Sequence, residues 1–448
     1  MQQLKDIIKF LRQQDELEAA ANLLDVFQKY ASRLEEYDVL GDCYSEIKYY
    51  KKAIEVAEKC LTMVSSNESL FSARANLAKM HNHINDPQTA LRYIKANELV
   101  DPNDFDTAME KVFAYYSLGK KDISEAIVRE QLKRTDLDEK QMNRVLFNCG
   151  TYDLKHGEFQ KALKEFYVIG KKIEIWPAPK LPGKFWEGGY RPGETLVIFA
   201  EGGIGDEIIS SRFCKQIESL GMNTIWLTHR KFLKDILERA GVGKVATHVN
   251  QLPKDFYWTY SMSLPIYMDL TTKDLWKGQY IFPKQEYVDK FSWIKNSSGK
   301  PKVGIRWSGN PRYEQDLHRS LDLHQLYHTI KDRGYELYSI QKDNDLEVLK
   351  DFPDIIDMSK HMETFEDTLG VIQNLDFVIS SCTSVAHAAA AMNKKTYVMV
   401  PIAAYYTWES TADETSPWYP SVTLCRQTEH KSWVKPLNEL REFLDKNE

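Results

Sequence analysis

The sequence predicts an α + α/β chain: a helical repeat array followed by two α/β halves. Three observations carry this. Residues 1–170 hold amphipathic helix patterns and no convincing strand, with apolar residues at i, i+3, i+4 and i+7. Small residues recur there at a near-constant period. From Thr195 onward, short apolar runs alternate with helical stretches, the pattern of a parallel sheet with crossover helices.

In the first segment, alanines at Ala20, Ala53, Ala90, Ala126 and Ala162 each open the second helix of a pair, at spacings of 33, 37, 36 and 36 residues. Twelve residues before them stand Ile8, Gly41, Ala78, Ala114 and Gly150, mostly small, so the paired helices can approach closely. Four residues after them stand Leu24, Ala57, Ile94 and Phe166, but Glu130 breaks the pattern in the fourth repeat. Pro102 ends the third repeat. Two helices per period of about 34 residues resembles the tetratricopeptide family, although the aromatic of its first helix is mostly missing. That resemblance implies a superhelix whose groove takes a peptide or partner protein. A spacer or dimerisation arm is the other reading of the same array.

Residues 171–190 form the expected join. Pro177, Pro179, Pro182 and Pro192 in and just after it exclude a continuous helix. Trp176, Phe185 and Trp186 predict that the join is packed. The first α/β half is expected over 191–299, with strands at 195–200, 223–228 and 244–249 and helices at 206–219 and 231–240. The second is expected over 300–448. Its strands fall at 302–308, 336–341, 377–381 and 396–401, and its helices at 322–333, 364–374 and 384–392. A cleft between the halves is expected, with ligands beyond the carboxyl ends of the strands.

Composition narrows the function. The net charge of −6 excludes a whole-chain basic field for nucleic acid or anionic lipid. Six scattered cysteines without a C-x-x-C pair argue against a zinc site or a disulfide framework and fit a reducing, cytoplasmic compartment. The first residues lack the apolar core and cleavage site of a signal peptide. No apolar run of about 18 residues suggests a membrane span.

Three motifs sit at strand ends. In AEGGIGDEIISS (200–211), Ile208 stands where a dinucleotide fingerprint needs its third glycine, and Asp206-Glu207 stand where a P-loop needs lysine and a hydroxyl. What remains is a tight strand-to-helix turn. Its glycines, Gly203 and Gly205 among them, let another molecule approach. Asp206 falls at a helix start, where a carboxylate is favoured in any case. The second motif, Gly304 to Leu321, ends a strand in Ser308-Gly309-Asn310-Pro311. It then carries Arg312, His318, Arg319 and Ser320 in a polar loop, and arginine's planar fork suits a diphosphate. Gln341, at the end of the next strand, joins this candidate set. The third, Ile379 to Met392, passes from a buried strand through Cys382, Thr383 and Ser384 into a small-residue helix bearing His387. Hydroxyls and free amides there suit phosphate. Asp343-Asn344-Asp345 is a D-x-D run of the kind that holds a metal in some sugar-nucleotide enzymes, at a helix start where acids are common.

In this order the motifs resemble those of heptosyltransferase-like glycosyltransferases, and the whole chain resembles bacterial and phage proteins that join tetratricopeptide repeats to such a domain. The opening pattern E-Q-G-x-G-D is met by Glu201 through Asp206, with Gly202 in place of glutamine. The pattern W-x-G-N-P-x-x-x-x-D-x-x-R-S is met by Trp307, Gly309, Asn310, Pro311, Asp316, Arg319 and Ser320. The pattern D-T-x-x-A-H-x-A-x-A is met by Thr383, Ala386, His387 and Ala389, with Cys382 in place of the acid. S-P-W-Y-P follows at Ser416 to Pro420.

The resemblance implies a GT-B fold of two Rossmann-like halves and an inverting, metal-independent transfer that needs no cofactor. The sugar would come from a nucleotide-diphosphate sugar and go to a glycan or protein acceptor. It implies the acceptor on the first half, with Asp206 as general base. On the second half it implies the donor, with Asn310, Arg319, Ser320, Gln341, Thr383, Ser384 and His387 around it. A scaffold that keeps the shell without catalysis, and a metal-dependent transferase using Asp343 and Asp345, are the alternatives.

Overall fold

The computed structural model describes residues 1–169, 179–311, 313, 316–342, 344–409 and 414–446. They form two compact units, Met1–Thr135 and Asp136–Glu448. The first consists of helices α1 (Gln2–Gln13), α2 (Leu17–Tyr30), α3 (Leu34–Glu46), α4 (Tyr50–Met63), α5 (Asn67–His83), α6 (Pro87–Glu98), α7 (Phe105–Ser117) and α8 (Lys121–Gln131). Side chains of Ser66, Asp86 and Asp104 cap α5, α6 and α7 by accepting from the backbone three residues on.

A residue with positive φ closes the turn inside each helix pair: Asp15, Lys48, Asn85, Gly119 and, in a fifth pair, Gly157. Five residues after each lies a small, fully buried one: Ala20, Ala53, Ala90, Ser124 and Ala162. The turns and the buried positions share spacings of 33, 37, 34 and 38 residues. The fourth repeat is therefore framed on Ser124, and the alanine frame fails there. Ala126 is exposed, whereas Ser124 is buried and its Oγ donates to the Val112 carbonyl at 2.5 Å. In this frame Val128 fills the buried i+4 position and Glu130 leaves the interface. The helical pattern is thus unbroken, with a serine doing an alanine's work.

The fifth pair, α9 (Glu139–Lys155) and α10 (Phe159–Leu163), runs on into a π-helical turn, Lys164–Ile169. A Cβ on Gly150 would lie 3.0 Å from the Ala162 carbonyl, so glycine sets this crossing. The pair continues the repeat pattern yet belongs to the second unit. Leu154, Phe159, Leu163 and Tyr167 are buried in the same core as Ile198, Ile208 and Trp418. Gln160 Nε2 donates to the carbonyls of Pro265 (2.8 Å) and Leu270 (2.5 Å).

Two parallel sheets make up the rest. The first has strands β1 (Lys184–Phe185), β2 (Thr195–Phe199), β3 (Asn223–Leu227), β4 (Lys244–Ala246) and β5 (Tyr257–Tyr260), in the order β1-β5-β2-β3-β4. The second has β6 (Lys302–Arg306), β7 (Glu336–Ser339), β8 (Ile355–Asp357), β9 (Phe377–Ser381), β10 (Thr396–Val400) and β11 (Val422–Arg426), in the order β11-β10-β9-β6-β7-β8. Counted from β6, that is the doubly wound order 3-2-1-4-5-6 of a Rossmann-like half. The strand order reverses between β2 and β5 in one sheet and between β6 and β9 in the other. Crevices for ligands form at such points.

The helices that matter for the site are α11 (Ile204–Ser211) after β2, α12 (Lys234–Ala240), α13 (Leu323–Ile330), α14 (Phe365–Asn374), α15 (Ser384–Ala391) after β9, and α16 (Val434–Asp445). Four strands, β1, β5, β8 and β11, and helix α16 carry no expectation from the sequence. β1 and β8 are too short, at 2 and 3 residues, to show a period. Trp186, after β1, is buried, as a packed join requires, but Phe185 is exposed, and Trp176 and Pro177 lie outside the described residues. Residues 285–296 pack on α14 of the second half. Asn374 Nδ2 donates to the Val288 carbonyl at 2.9 Å, and a Cβ on Gly370 would meet the Tyr287 carbonyl at 2.5 Å.

Two outcomes check this account. Ser124→Leu should destabilise the helical unit by about 1–3 kcal/mol through overpacking, and Ala126→Leu by less than about 0.5 kcal/mol, read from denaturant midpoints. A chain starting at Asp136 should melt cooperatively by circular dichroism. One starting after Ile169 should not, because it lacks the buried side chains of α9, α10 and Tyr167.

Candidate functional site

The site is built where the two reversal points meet. The chain leaves β2 through Ala200 and Glu201 and turns at Gly202, whose φ is +68°. A Cβ there would be strained and would overlap the Asp206 carboxylate. The turn lets Asp206, at the third position of α11, reach back so that Oδ2 accepts from the Gly203 N–H at 2.6 Å. That is half of a capping box: Asp206 helps to cap the helix from its third position, while the N-cap residue itself is Gly203 and not Asp206. A second partner comes from the other half: the Tyr405 hydroxyl donates to Asp206 Oδ1.

Behind this loop stands a buried anchor. Glu207 is fully buried and accepts from Trp226 Nε1 (3.0 Å), Thr228 Oγ1 (2.9 Å) and Arg230 (2.6 Å). The same guanidinium donates to the Gly202 carbonyl at 2.7 Å. Acid, arginine and turn are thus tied together, and the acid's charge is paired and hydrogen-bonded as burial requires.

Helices α11 and α15 touch face to face. A Cβ on Gly205 would lie 3.1 Å from His387 Cδ2 and 3.5 Å from Ser384 Cα. Gly203 is exposed, but Gly205 is packed against the second half and opens no room for another molecule. Asp206 keeps part of its surface, yet the chain crowds round it. Burial raises its carboxyl above the usual range, against the donors Tyr405 and Gly203 and the nearby Arg230 charge.

His387 enters the site as a neutral ring. It stacks on Trp408 at 4.7 Å with planes 11° apart, and its Nδ1 meets the Tyr419 hydroxyl at 3.2 Å. Burial, with the charges of Arg212 and Arg319, pulls it from its ordinary 6.5 to about 3. Arg212 is fully buried just beyond α11. It donates to the carbonyls of Trp418 (2.7 Å) and Ile209 (3.1 Å) and to the Tyr280 hydroxyl (2.9 Å), and lies 4.4 Å from the Tyr419 ring centre.

Arg319 bridges the second motif to the third. Its Nε donates to Asp316 at 2.8 Å and one terminal nitrogen donates to the Cys382 carbonyl at 2.9 Å. A Cβ on Gly309 would overlap its guanidinium. Thr383, buried, is the N-cap residue of α15, and its Oγ1 lies 3.3 Å from Ser380 Oγ. Ser384 opens the helix, partly buried. Cys382 Sγ accepts from Trp408 Nε1 at 3.0 Å.

The remaining candidates belong to the second motif and to the end of the strand after it. Ser320 Oγ donates to Asp316 at 3.2 Å. Gln341 is fully buried, and its Nε2 donates to Ser308 Oγ (2.9 Å) and to both oxygens of Asn344 (3.1 Å), tying the loop after β6 to the turn after β7. Asn310 is exposed. Arg312 and Asp343 lie outside the described residues, and Asp345 accepts from Trp307 Nε1 at 2.5 Å. Among the described residues, no group of three His, Cys, Asp or Glu is placed to hold a metal, and no helix is long and apolar enough to cross a membrane. All six cysteines are free and buried.

Sequence reasoning missed Tyr405, Glu207, Arg230 and Arg212. A signal existed for the first: Tyr405-Tyr406 follows the run TYVMVP at the carboxyl end of a strand, where sites gather. The buried Glu207 has no such signature.

No family model matches the chain, and no curated protein matches it. Solved structures similar to it include a family 9 glycosyl transferase from Veillonella parvula, 9% identical, covering 58% of this chain and 91% of that one at a TM-score of 0.41. ADP-heptose LPS heptosyltransferase II from E. coli is 12% identical, covering 56% and 99% at 0.40. MamA from Desulfovibrio magneticus RS-1 is 16% identical, covering 39% and 94% at 0.29.

The state of His387 sets a pH dependence. The folded ring stays neutral down to about 3, whereas the unfolded ring takes its proton near 6.5. Its contribution to stability is full above 6.5 and is lost as pH falls from there towards 3, at about 1.4 kcal/mol per unit. The melting temperature should therefore fall between pH 7 and 5, and His387→Gln should flatten that slope.

Proposed function

We propose that this chain is a glycosyltransferase that moves a sugar, with inversion and without a metal, from a nucleotide-diphosphate sugar to a glycan or protein acceptor. The observation that carries the proposal is Asp206. It is a partly exposed carboxylate at the reversal point of the first sheet, with a raised pKa, facing the phosphate-suited end of α15 across the boundary between the halves. A base needs a pKa drawn towards its working pH and a place within reach of the proton it takes.

In this reading Asp206 accepts the proton of an acceptor hydroxyl as that oxygen bonds to the anomeric carbon. The bond from that carbon to the diphosphate oxygen breaks, through an oxocarbenium-like state, and its electron pair leaves on the nucleoside diphosphate. The α15 amides, Thr383 and Ser384 face the departing charge, with Arg319 and the buried Arg212 supplying positive potential. His387 takes part as a neutral group. The helical repeats serve as the recruiting arm for the acceptor or for a protein partner.

Asp206→Asn keeps an oxygen for the Gly203 N–H and loses the base. It should lower transfer by about 10²-fold or more while leaving the melting-temperature rise on sugar-nucleotide binding intact. Unchanged transfer removes the base assignment. A wild-type chain that no ADP-, GDP- or UDP-sugar stabilises is a scaffold instead.

A further inference from the structure

We infer that Tyr405 is a positioning residue for Asp206: carried by the second half, its hydroxyl clamps the carboxylate of the first, so that the base is set only when the halves are together. The inference rests on the proposed role of Asp206. The two residues are 199 positions apart and lie in segments that follow strands of different sheets, β2 and β10. Asp206 is held at both oxygens, Oδ2 by its own turn and Oδ1 by Tyr405. With only the first bond the carboxylate is an ordinary helix-start acid. The second removes its remaining rotation and exists only across the boundary.

Tyr405 is itself held in place. Its ring lies 4.6 Å from Tyr406 and 6.4 Å from His387, both edge-on. Tyr406 hydrogen-bonds Tyr167 of the π-helical turn, the two rings packing edge-on at 5.9 Å. The clamp therefore reaches from the helical pair α9–α10 through three tyrosines to the base. The titratable and charged groups facing Asp206 are Tyr405 and Tyr406 from the segment after β10, Tyr167 from the turn after α10, Arg230 from the loop after β3, and Cys382 at the end of β9. Among them Tyr405 donates directly to the carboxylate, so removing its hydroxyl makes the charged form harder to hold.

Tyr405→Phe keeps the ring and deletes the donor. The acid limb of the kcat profile should move up by about one pH unit, with the donor KM unchanged. A second readout needs no turnover. The melting-temperature loss from Tyr405→Phe should be larger at pH 8 than at an acid pH that protonates carboxylates, and this difference should vanish in an Asp206→Asn background. A chain that transfers sugar with an unshifted limb and an equal loss at both pH values overturns the clamp and leaves the glycosyltransferase proposal standing. A chain without transfer that keeps the pH-dependent coupling overturns the function and leaves the Tyr405 contact.

Discussion

The contact between α11 and α15 is the constraint on which the rest of the second unit depends. Each helix leaves the point where its own sheet reverses strand order, and the two are pressed together through a residue without a side chain, Gly205. The approach has three consequences. It buries His387 against Trp408 and Tyr419, it crowds Asp206 until its charge is costly, and it brings the segment after β10 close enough for Tyr405 to reach across. A side chain at 205 would separate the helices and release all three at once.

Charge is distributed unevenly about this contact. Arg212 is fully buried, and every partner it meets among the described residues is neutral: three carbonyls, a phenol and aromatic faces. A buried guanidinium without a counter-ion is expensive unless its donors are used and something nearby benefits from its field. Four hydrogen bonds occupy most of its five donors. Burial first, and then its field with that of Arg319, keeps His387 neutral, and the same field favours negative charge at the start of α15. On the first half the acids are divided. Glu207 is paired and structural, while Asp206 is left to face the boundary.

The fold was legible where periodicity is long enough to read. Five helix pairs and the main strands of both sheets follow from apolar spacing alone, because burying one face of a helix or both faces of a strand leaves a direct mark on sequence. The fourth repeat shows the limit. Alanine was the visible marker, but packing needs only a small residue at the fixed distance from the left-handed turn, and Ser124 meets that need with a backbone hydrogen bond. The site was legible in its strand-end motifs, which place Asp206, Arg319, Thr383 and His387. Its cross-half partners were not, since nothing in a local window tells that Tyr405 will meet Asp206 or that Arg212 will lie beneath Trp418.

The two departures from the heptosyltransferase-like pattern have physical reasons. At 202 the backbone is left-handed and a Cβ would strike the Asp206 carboxylate, so the capped form of Asp206 seen here demands glycine rather than glutamine. At 382 the thiol is buried and accepts from Trp408 Nε1, the ring that stacks on His387. An acid there would accept the same hydrogen bond but would bring a second negative charge towards Asp206 in a crowded site, and would pair with Arg319. The neutral thiol leaves Arg319 bound to Asp316 and to the backbone, and leaves Asp206 as the acid on the boundary. Both substitutions therefore act on the same residue: one frees its backbone turn, and the other keeps its electrostatic surroundings positive.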